Sequence, residues 1–390
     1  MRHDQIDDPA AFYRASRAHT RELFGIITPD AWYDRPIRLR NPIAFYEGHL
    51  PAFAINTLLK LTLGRPGLDA HYEQIFARGI DPEDEAAAKS PTDLWPARED
   101  VQAYGAEAEA MIESALRELP EHEATFTVLE HELMHQETLL YMFHELPHSR
   151  KVAPPIGPMG PIGPMGPMGP MGSVTVPAGV AQLGQTAPCF GWDNEFPAHS
   201  VHVPEFTLDA CNVTNGEYLE YVKATGAAAP HFWEGELWRG MFEMTPLPLD
   251  APVYVTHDEA AAFAKWKGAR LPTEAELDRA TYGAGQPAEG NFDFQHWDPV
   301  PVGSYAPNGF GIHDLIGNGW EWTSTLFAPF DGFRAMPSYP QYSTDFFDGV
   351  HYVMKGASPA TARQLVRRSF RNWFRPAYPY VYATFRCVAP

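Results

Sequence analysis

Through the first 150 residues, apolar side chains recur every three to four positions, the spacing of one buried helical face. Residues 12–24 have this period, opening on Phe12 and Tyr13 and closing on Phe24. Pro42 precedes a second such segment, which carries Phe45, His49, Phe53, Leu58 and Leu59. Residues 98–118 place Val101, Tyr104, Ala108, Met111, Ile112 and Ala115 on one face. Residues 123–146 form a fourth segment, stopped by Pro147, because proline cannot continue the hydrogen-bond ladder. Four amphipathic helices with one longer connection, residues 60–97, predict a helix bundle. Facing helices of such bundles commonly build metal sites in their core. From Val174 the texture changes. Short β-rich runs at 174–176 and 200–203 alternate with turns of glycine, asparagine and proline. Two helices are expected at 215–224 and 257–267, with Asn215 and Thr256 as N-caps. Residues 314–322 and 369–386 concentrate Trp, Phe, Tyr, Arg and Gly. This half predicts an irregular α+β domain with much loop, and binding a ligand is one reason for loops to be ordered.

Between the halves, residues 154–172 hold five Gly-Pro-Met or Gly-Pro-Ile triplets. Collagen needs far more triplets and three chains, so the segment is expected to be a semi-rigid polyproline-like linker. The expected organisation is therefore a bundle at 1–150 carrying any metal ligands, a linker at 151–173, and a second domain at 174–390. A length of 390 residues suits two domains. The formal charge of −20 argues against nucleic acid and anionic membrane surfaces as partners. Three scattered cysteines, Cys189, Cys211 and Cys387, do not make a disulfide framework and fit a reducing compartment. No run approaches the ~18 apolar residues of a membrane helix, and residues 1–5 begin no signal peptide, so the expected location is cytoplasmic.

The candidate chemistry lies at residues 131–137, HELMHQE. His131 and His135, four apart on a helix, stand on one face and can share one ion. His49, on another helix within an aromatic segment, is a candidate third ligand. One histidine on such a helix is ordinarily a packing residue; the set of three shifts the reading to a metal. The same residues spell H-E-x-x-H, the zinc-protease signature, with Glu132 as general base. That signature needs a third histidine six positions after the second, where Tyr141 stands, or a glutamate on a following helix, where Pro147 and the linker stand. Three neutral imidazoles leave up to three open positions on an octahedral ion, the logic of the facial triad of non-haem iron oxygenases. Glu47, Glu130 and Glu137 are candidate acceptors for the ring N–H groups.

Further motifs carry a resemblance. Residues 41–49 (NPIAFYEGH), 76–82 (FARGIDP) and 130–138 (EHELMHQET) lie in the first half. Residues 191–199 (GWDNEFPAH), 213–218 (VTNGEY), 270–276 (RLPTEAE), 317–322 (GNGWEW) and 370–373 (FRNW) lie in the second. In this order they resemble the iron-dependent sulfoxide synthases of thiohistidine biosynthesis, the ergothioneine and ovothiol enzymes, over nearly the whole chain. The resemblance implies an α + (α+β) fold, in which a DinB-like four-helix bundle precedes a C-type-lectin-like domain of the formylglycine-generating-enzyme type. It implies that His49, His131 and His135 ligate Fe(II), with O2 as co-substrate. The small-molecule substrates would be a thiol and a histidine derivative, hercynine or histidine, and the product a sulfoxide with a new imidazole C–S bond. It further implies that Asn372, Trp373 and Phe374 line the imidazole-substrate pocket, where an aromatic face can hold a quaternary ammonium. A tyrosine near the iron would donate a proton, with Tyr339 and Tyr342 as candidates.

Departures from the family pattern bear on the substrate. Met134 stands where many bacterial ergothioneine enzymes carry glutamine. Phe374 stands where enzymes that use γ-glutamylcysteine carry aspartate. The tail is closer to the fungal type, which takes cysteine directly, and Arg371 or Arg375 would pair with a substrate carboxylate or form structural ion pairs. A selenium donor is a further alternative. Formylglycine generation needs a cysteine pair, and residues 355–386 contain none. Two other classes stay open: a zinc-dependent DinB-like thiol transferase or hydrolase, and a non-catalytic binding module around a structural metal.

Overall fold

The computed structural model describes residues 6–77, 95–154, 172–285 and 289–390. Most of the expected linker and part of the 76–82 motif lie outside these residues. The chain divides into two compact units, Met1–Pro155 with Pro337–Tyr339, and Ile156–Met336 with Pro340–Pro390.

The first unit is helical. Helix α1 (Pro9–Phe24) starts where the Asp8 carboxylate accepts the Ala11 N–H and Pro9 pre-sets the first turn. Helix α2 (Ile43–Ala54) contains Pro51, which removes one ladder donor, and the chain continues as a π-helical segment (Ile55–Thr62). A short helix α3 (Ala70–Ile75), capped by Asp69, falls in the longer connection. Helices α4 (Arg98–Glu118) and α5 (Glu123–His144) complete the unit. Helix α5 is buried on nearly every side, so it is the central helix. It packs against α1 and α2, around a core that includes Ile43, Leu50, Leu58, Ile112, Leu116, Leu139 and Phe143.

In the second unit, strands β1 (Ser173–Val176) and β4 (Phe206–Asp209) pair antiparallel, as do β2 (Gly179–Leu183) and β3 (His199–Val203). Strands β5 (Trp233–Glu234), β6 (Leu237–Arg239) and β7 (Met244–Pro246) form a meander. Strands β8 (Gly319–Leu326), β9 (Tyr352–Ala357), β10 (Asn372–Phe374) and β11 (Ala383–Thr384) form a four-stranded sheet in the order β10-β9-β8-β11, with β11 parallel to β8. Helices α6 (Asn215–Thr225), α7 (His257–Trp266) and α8 (Glu274–Tyr282) each begin with a reciprocal capping box, formed by Thr214 and Glu217, Thr256 and Glu259, and Thr273 and Glu276. Thr214, rather than the expected Asn215, is thus the cap of α6. Asn215 is instead tied to the Pro248 carbonyl and the Trp233 indole N–H. Helix α8 was not expected, although Thr273 and Glu276 are its capping signature. Among the described residues, no helix is long and apolar enough to cross a membrane.

Candidate metal centre

Two seams of α5 have opposite chemistry. Successive helix positions turn by 100°, so Glu132 leaves α5 on a different side from His131. Glu132 and Gln136 face α1. Arg17 Nη1 donates to Glu132 Oε1 at 2.9 Å, the Thr20 hydroxyl donates to the same oxygen, and Gln136 donates to Ser16 and Thr20. Glu132 is 2% exposed and its charge is committed to Arg17. It is a scaffold residue, not a base waiting for a water.

His131 and His135 face α2, where His49 meets them. One ring nitrogen from each of the three can be chosen so that all lie within 4.8 Å of one another. The Nε2 atoms of His131 and His135 are 3.2 Å apart. Nitrogens bound to one ion by bonds of about 2.1 Å sit at a similar separation. His49 Nδ1 lies 2.8 Å from the Phe76 carbonyl oxygen. A carbonyl only accepts, so His49 carries its proton on Nδ1 and offers a lone pair at Nε2. Gly48 permits this contact: a Cβ there would lie 2.5 Å from the Phe76 ring. Glu47, an expected acceptor for a ring N–H, instead receives hydrogen bonds from Trp32, Arg98 and Gln102, and the backbone of Phe76 takes that role for His49.

Burial holds all three rings neutral. It pushes His49 down to about 4, against a smaller raising effect of the Phe76 hydrogen bond. Burial, then the neighbouring histidines, take His131 well below its ordinary value; burial, His49 and Arg40 do the same for His135. Aromatic rings wall the cluster. Phe53 stacks on His131 at 3.6 Å, Phe45 on His49 at 4.8 Å, and Tyr46 lies 5.7 Å from His135. The buried Nδ1 of His135 has no hydrogen-bond partner among the described residues. Three uncharged nitrogen donors, converging and shielded from water, fit a divalent transition metal with open positions. Met134 is half-buried on α5 between the two helix histidines. Tyr339 belongs to the same unit, its ring 6.4 Å from His131 and 5.3 Å from Phe53.

The remaining expected residues lie in the second unit. Tyr342 stacks on Trp192 at 3.9 Å and meets the Trp373 ring edge-on at 5.3 Å. Trp373 stacks on Phe327 at 4.1 Å with its plane 8° from parallel. Asn372 Oδ1 accepts the Trp373 N–H, and Phe374 stacks on Tyr378 at 5.0 Å. Arg371 is 2% exposed; it donates to Glu274 at 3.0 Å and to the carbonyls of Asn194 and Ala328, beneath Phe330. These bonds are the ones that the structural role expected of it would make. Arg375 is exposed.

Residues 13–148 match the DinB superfamily model, and residues 167–390 match the sulfatase-modifying factor enzyme 1-like domain. A hercynine oxygenase from Mycolicibacterium smegmatis is 34% identical over 74% of this chain and 77% of its own length. The chain belongs to the hercynine oxygenase family of ergothioneine biosynthesis. Within that family, ergothioneine biosynthesis protein 1 of Neurospora crassa is 27% identical over 98% of this chain, which spans 57% of that protein. The second half alone is similar to a formylglycine-generating enzyme from Streptomyces coelicolor, 29% identical over 40% of this chain and 69% of that one.

Several residues around the cluster escaped the sequence reading. Phe53 and Phe45 carried a signal, since aromatic residues four before or after a ligand histidine share its helix face. Phe76 carried none, because its backbone oxygen, not its side chain, touches His49.

Proposed function

We propose that the chain is a non-haem Fe(II), O2-dependent sulfoxide synthase that joins a thiol, cysteine or γ-glutamylcysteine, to the imidazole of hercynine. The observation that carries this reading is the convergence of three neutral imidazole nitrogens inside a bundle whose H-E-x-x-H glutamate is bound to Arg17. Family membership supports the substrate class. His49, His131 and His135 would hold the iron, which when bound supplies the reduction of dioxygen. The reaction balances without an outside reductant: the thiol and the imidazole each give one hydrogen, one oxygen atom enters the sulfoxide, and the other leaves as water.

The chain's own residues orient and exclude. Phe45 and Phe53 hold the imidazole planes of His49 and His131 and keep water from them. Tyr339 is the proposed proton donor, its phenol carried beside His131. Trp373, fixed on Phe327, would offer an aromatic face to the betaine ammonium. Asn372, Phe374 and Met134 would contact the substrates, and Arg375 would meet a substrate carboxylate.

The test is direct. Protein reconstituted with Fe(II) is given cysteine, γ-glutamylcysteine or a selenium donor, each with hercynine or histidine, and products are read by mass spectrometry alongside oxygen uptake. The expected result is a hercynine sulfoxide from one thiol. Histidine as the better acceptor would move the reading to the ovothiol type. No oxygen uptake with any pair, together with a zinc-supported reaction of the thiol, would overturn it in favour of a DinB-like transferase or hydrolase.

A further inference from the structure

Glu123, Thr127, His131 and His135 follow one another at intervals of four along α5, so they form one stripe on one side of the helix. The second half of this stripe is the histidine pair. The first half holds Ser338. Glu123 Oε1 accepts the Ser338 backbone N–H at 3.1 Å and its hydroxyl at 2.7 Å. Thr127 Oγ1 lies 2.9 Å from Ser338 Oγ and 3.0 Å from the Glu123 carbonyl. The protons can be counted. Ser338 has a single hydroxyl hydrogen and gives it to the carboxylate. The Thr127 hydrogen is then shared between the Glu123 carbonyl and Ser338 Oγ. Thr127 is fully buried and Ser338 is 9% exposed, so water competes little for these bonds.

The next residue is Tyr339. Holding Ser338 by both its N–H and its side chain leaves the following residue few backbone choices. The tyrosine ring comes to rest 5.3 Å from Phe53, which itself stacks on His131. Because the clasp and the two histidines share one helix, their relative positions are set by helix geometry rather than by loop conformation.

We propose that Glu123, Thr127 and Ser338 form a clasp that positions the Tyr339 phenol at the histidine cluster. They are positioning residues, acting through Tyr339. The inference rests on the reading of the three histidines as a metal centre.

The experiment uses the full-length protein labelled with 3-fluorotyrosine, loaded with Co(II) or Zn(II) and read by 19F NMR. Tyr46 and Tyr339, whose rings lie near the histidines, are assigned by substitution to Phe. In the wild-type protein both resonances should move when Co(II) replaces Zn(II). In Ser338→Ala and in Glu123→Ala, the Tyr339 displacement should collapse, while the Tyr46 displacement and the Co(II) stoichiometry hold. Ser338→Thr should restore it. Thr127→Val, which removes only a hydroxyl, serves if Ser338→Ala does not fold. With Fe(II), the same variants should lose turnover roughly 10- to 100-fold with KM little changed, the cost of a misplaced group. An unaltered Tyr339 displacement in Ser338→Ala, with Co(II) bound, would overturn the clasp alone. Failure of the wild-type protein to bind Co(II) would overturn the metal-centre reading, and the clasp with it.

Discussion

In the first unit three imidazoles, two buried and one half-buried, converge on one another, whereas in the second unit the buried guanidinium groups of Arg371 and Arg386 each meet a carboxylate. Arg386 is completely buried and makes two 2.7 Å bonds to Glu321. Arg371 is held by Glu274, and the half-buried Arg367 by the fully buried Glu195. These pairs neutralise one another, and little capacity is left for a ligand. The histidines remove the problem of buried charge by staying neutral, and so their lone pairs stay available. Satisfied charge marks scaffold, while converging, unsatisfied neutral donors mark a site.

The sharpest break in this contrast is to remove one member of a pair. Arg386→Ala leaves Glu321 buried and uncompensated, and also releases the carbonyls of Ala210 and His313. A loss of about 3–5 kcal/mol is expected in denaturant unfolding of the second unit. Arg371→Ala should cost less, because Lys355 Nζ stays 3.9 Å from the Glu274 carboxylate and compensates it in part. A fully stable Arg371→Ala that bound substrate weakly would instead make Arg371 part of a binding site.

The same contrast recurs on the two seams of α5 and can be tested there with two substitutions. His131→Gln, which nearly keeps the volume of the ring stacked under Phe53, should weaken metal binding more than roughly 100-fold, beyond the loss typical of an outer-shell change, with the melting temperature of the metal-free protein little moved. Glu132→Gln should do the reverse. It removes the charge that holds Arg17 and should cost about 2 kcal/mol, with metal stoichiometry intact. Isothermal titration and thermal melting separate the two. An inactive Glu132→Gln of wild-type stability would return the chain to the zinc-hydrolase reading.

What could be read from the residues alone follows from the range of the interactions. The histidine pair was legible because four-residue spacing is a local property of a helix. The caps at Thr256 and at Thr273 lie in local patterns too, and only the first was read. The fate of Glu132 was half legible: its angle on the helix excluded it from the histidine face, but its partner Arg17 is 115 residues away. Tyr339 and Tyr342, three residues apart, look alike as letters, yet one sits in the first unit beside His131 and the other in the aromatic stack of the second. Nothing local separates them, because the clasp that holds Ser338 is built from α5, more than 200 residues upstream.

The last effect depends on pH and concerns a carboxylate that has no guanidinium among its hydrogen-bond donors in the described residues. Asp193 is 3% exposed, accepts from the Ser343 hydroxyl, and has a second oxygen with no partner among the described residues. Burial raises its pKa to about 6, against the lowering effect of the Ser343 bond. Since this folded-state value lies above the unfolded one, the fold favours the protonated acid. Its contribution is present at low pH and is lost as pH rises through about 6. Asp193→Asn keeps an acceptor for Ser343 and removes the titration, but leaves a buried amide N–H2 without a built partner. The amide cost does not vary with pH, so the variant should gain on the wild-type protein by about 2 kcal/mol between pH 4 and pH 7. Unfolding in urea at each pH measures the difference. A stability difference that does not change with pH would mean that Asp193 is as well neutralised as the arginine-paired carboxylates around it.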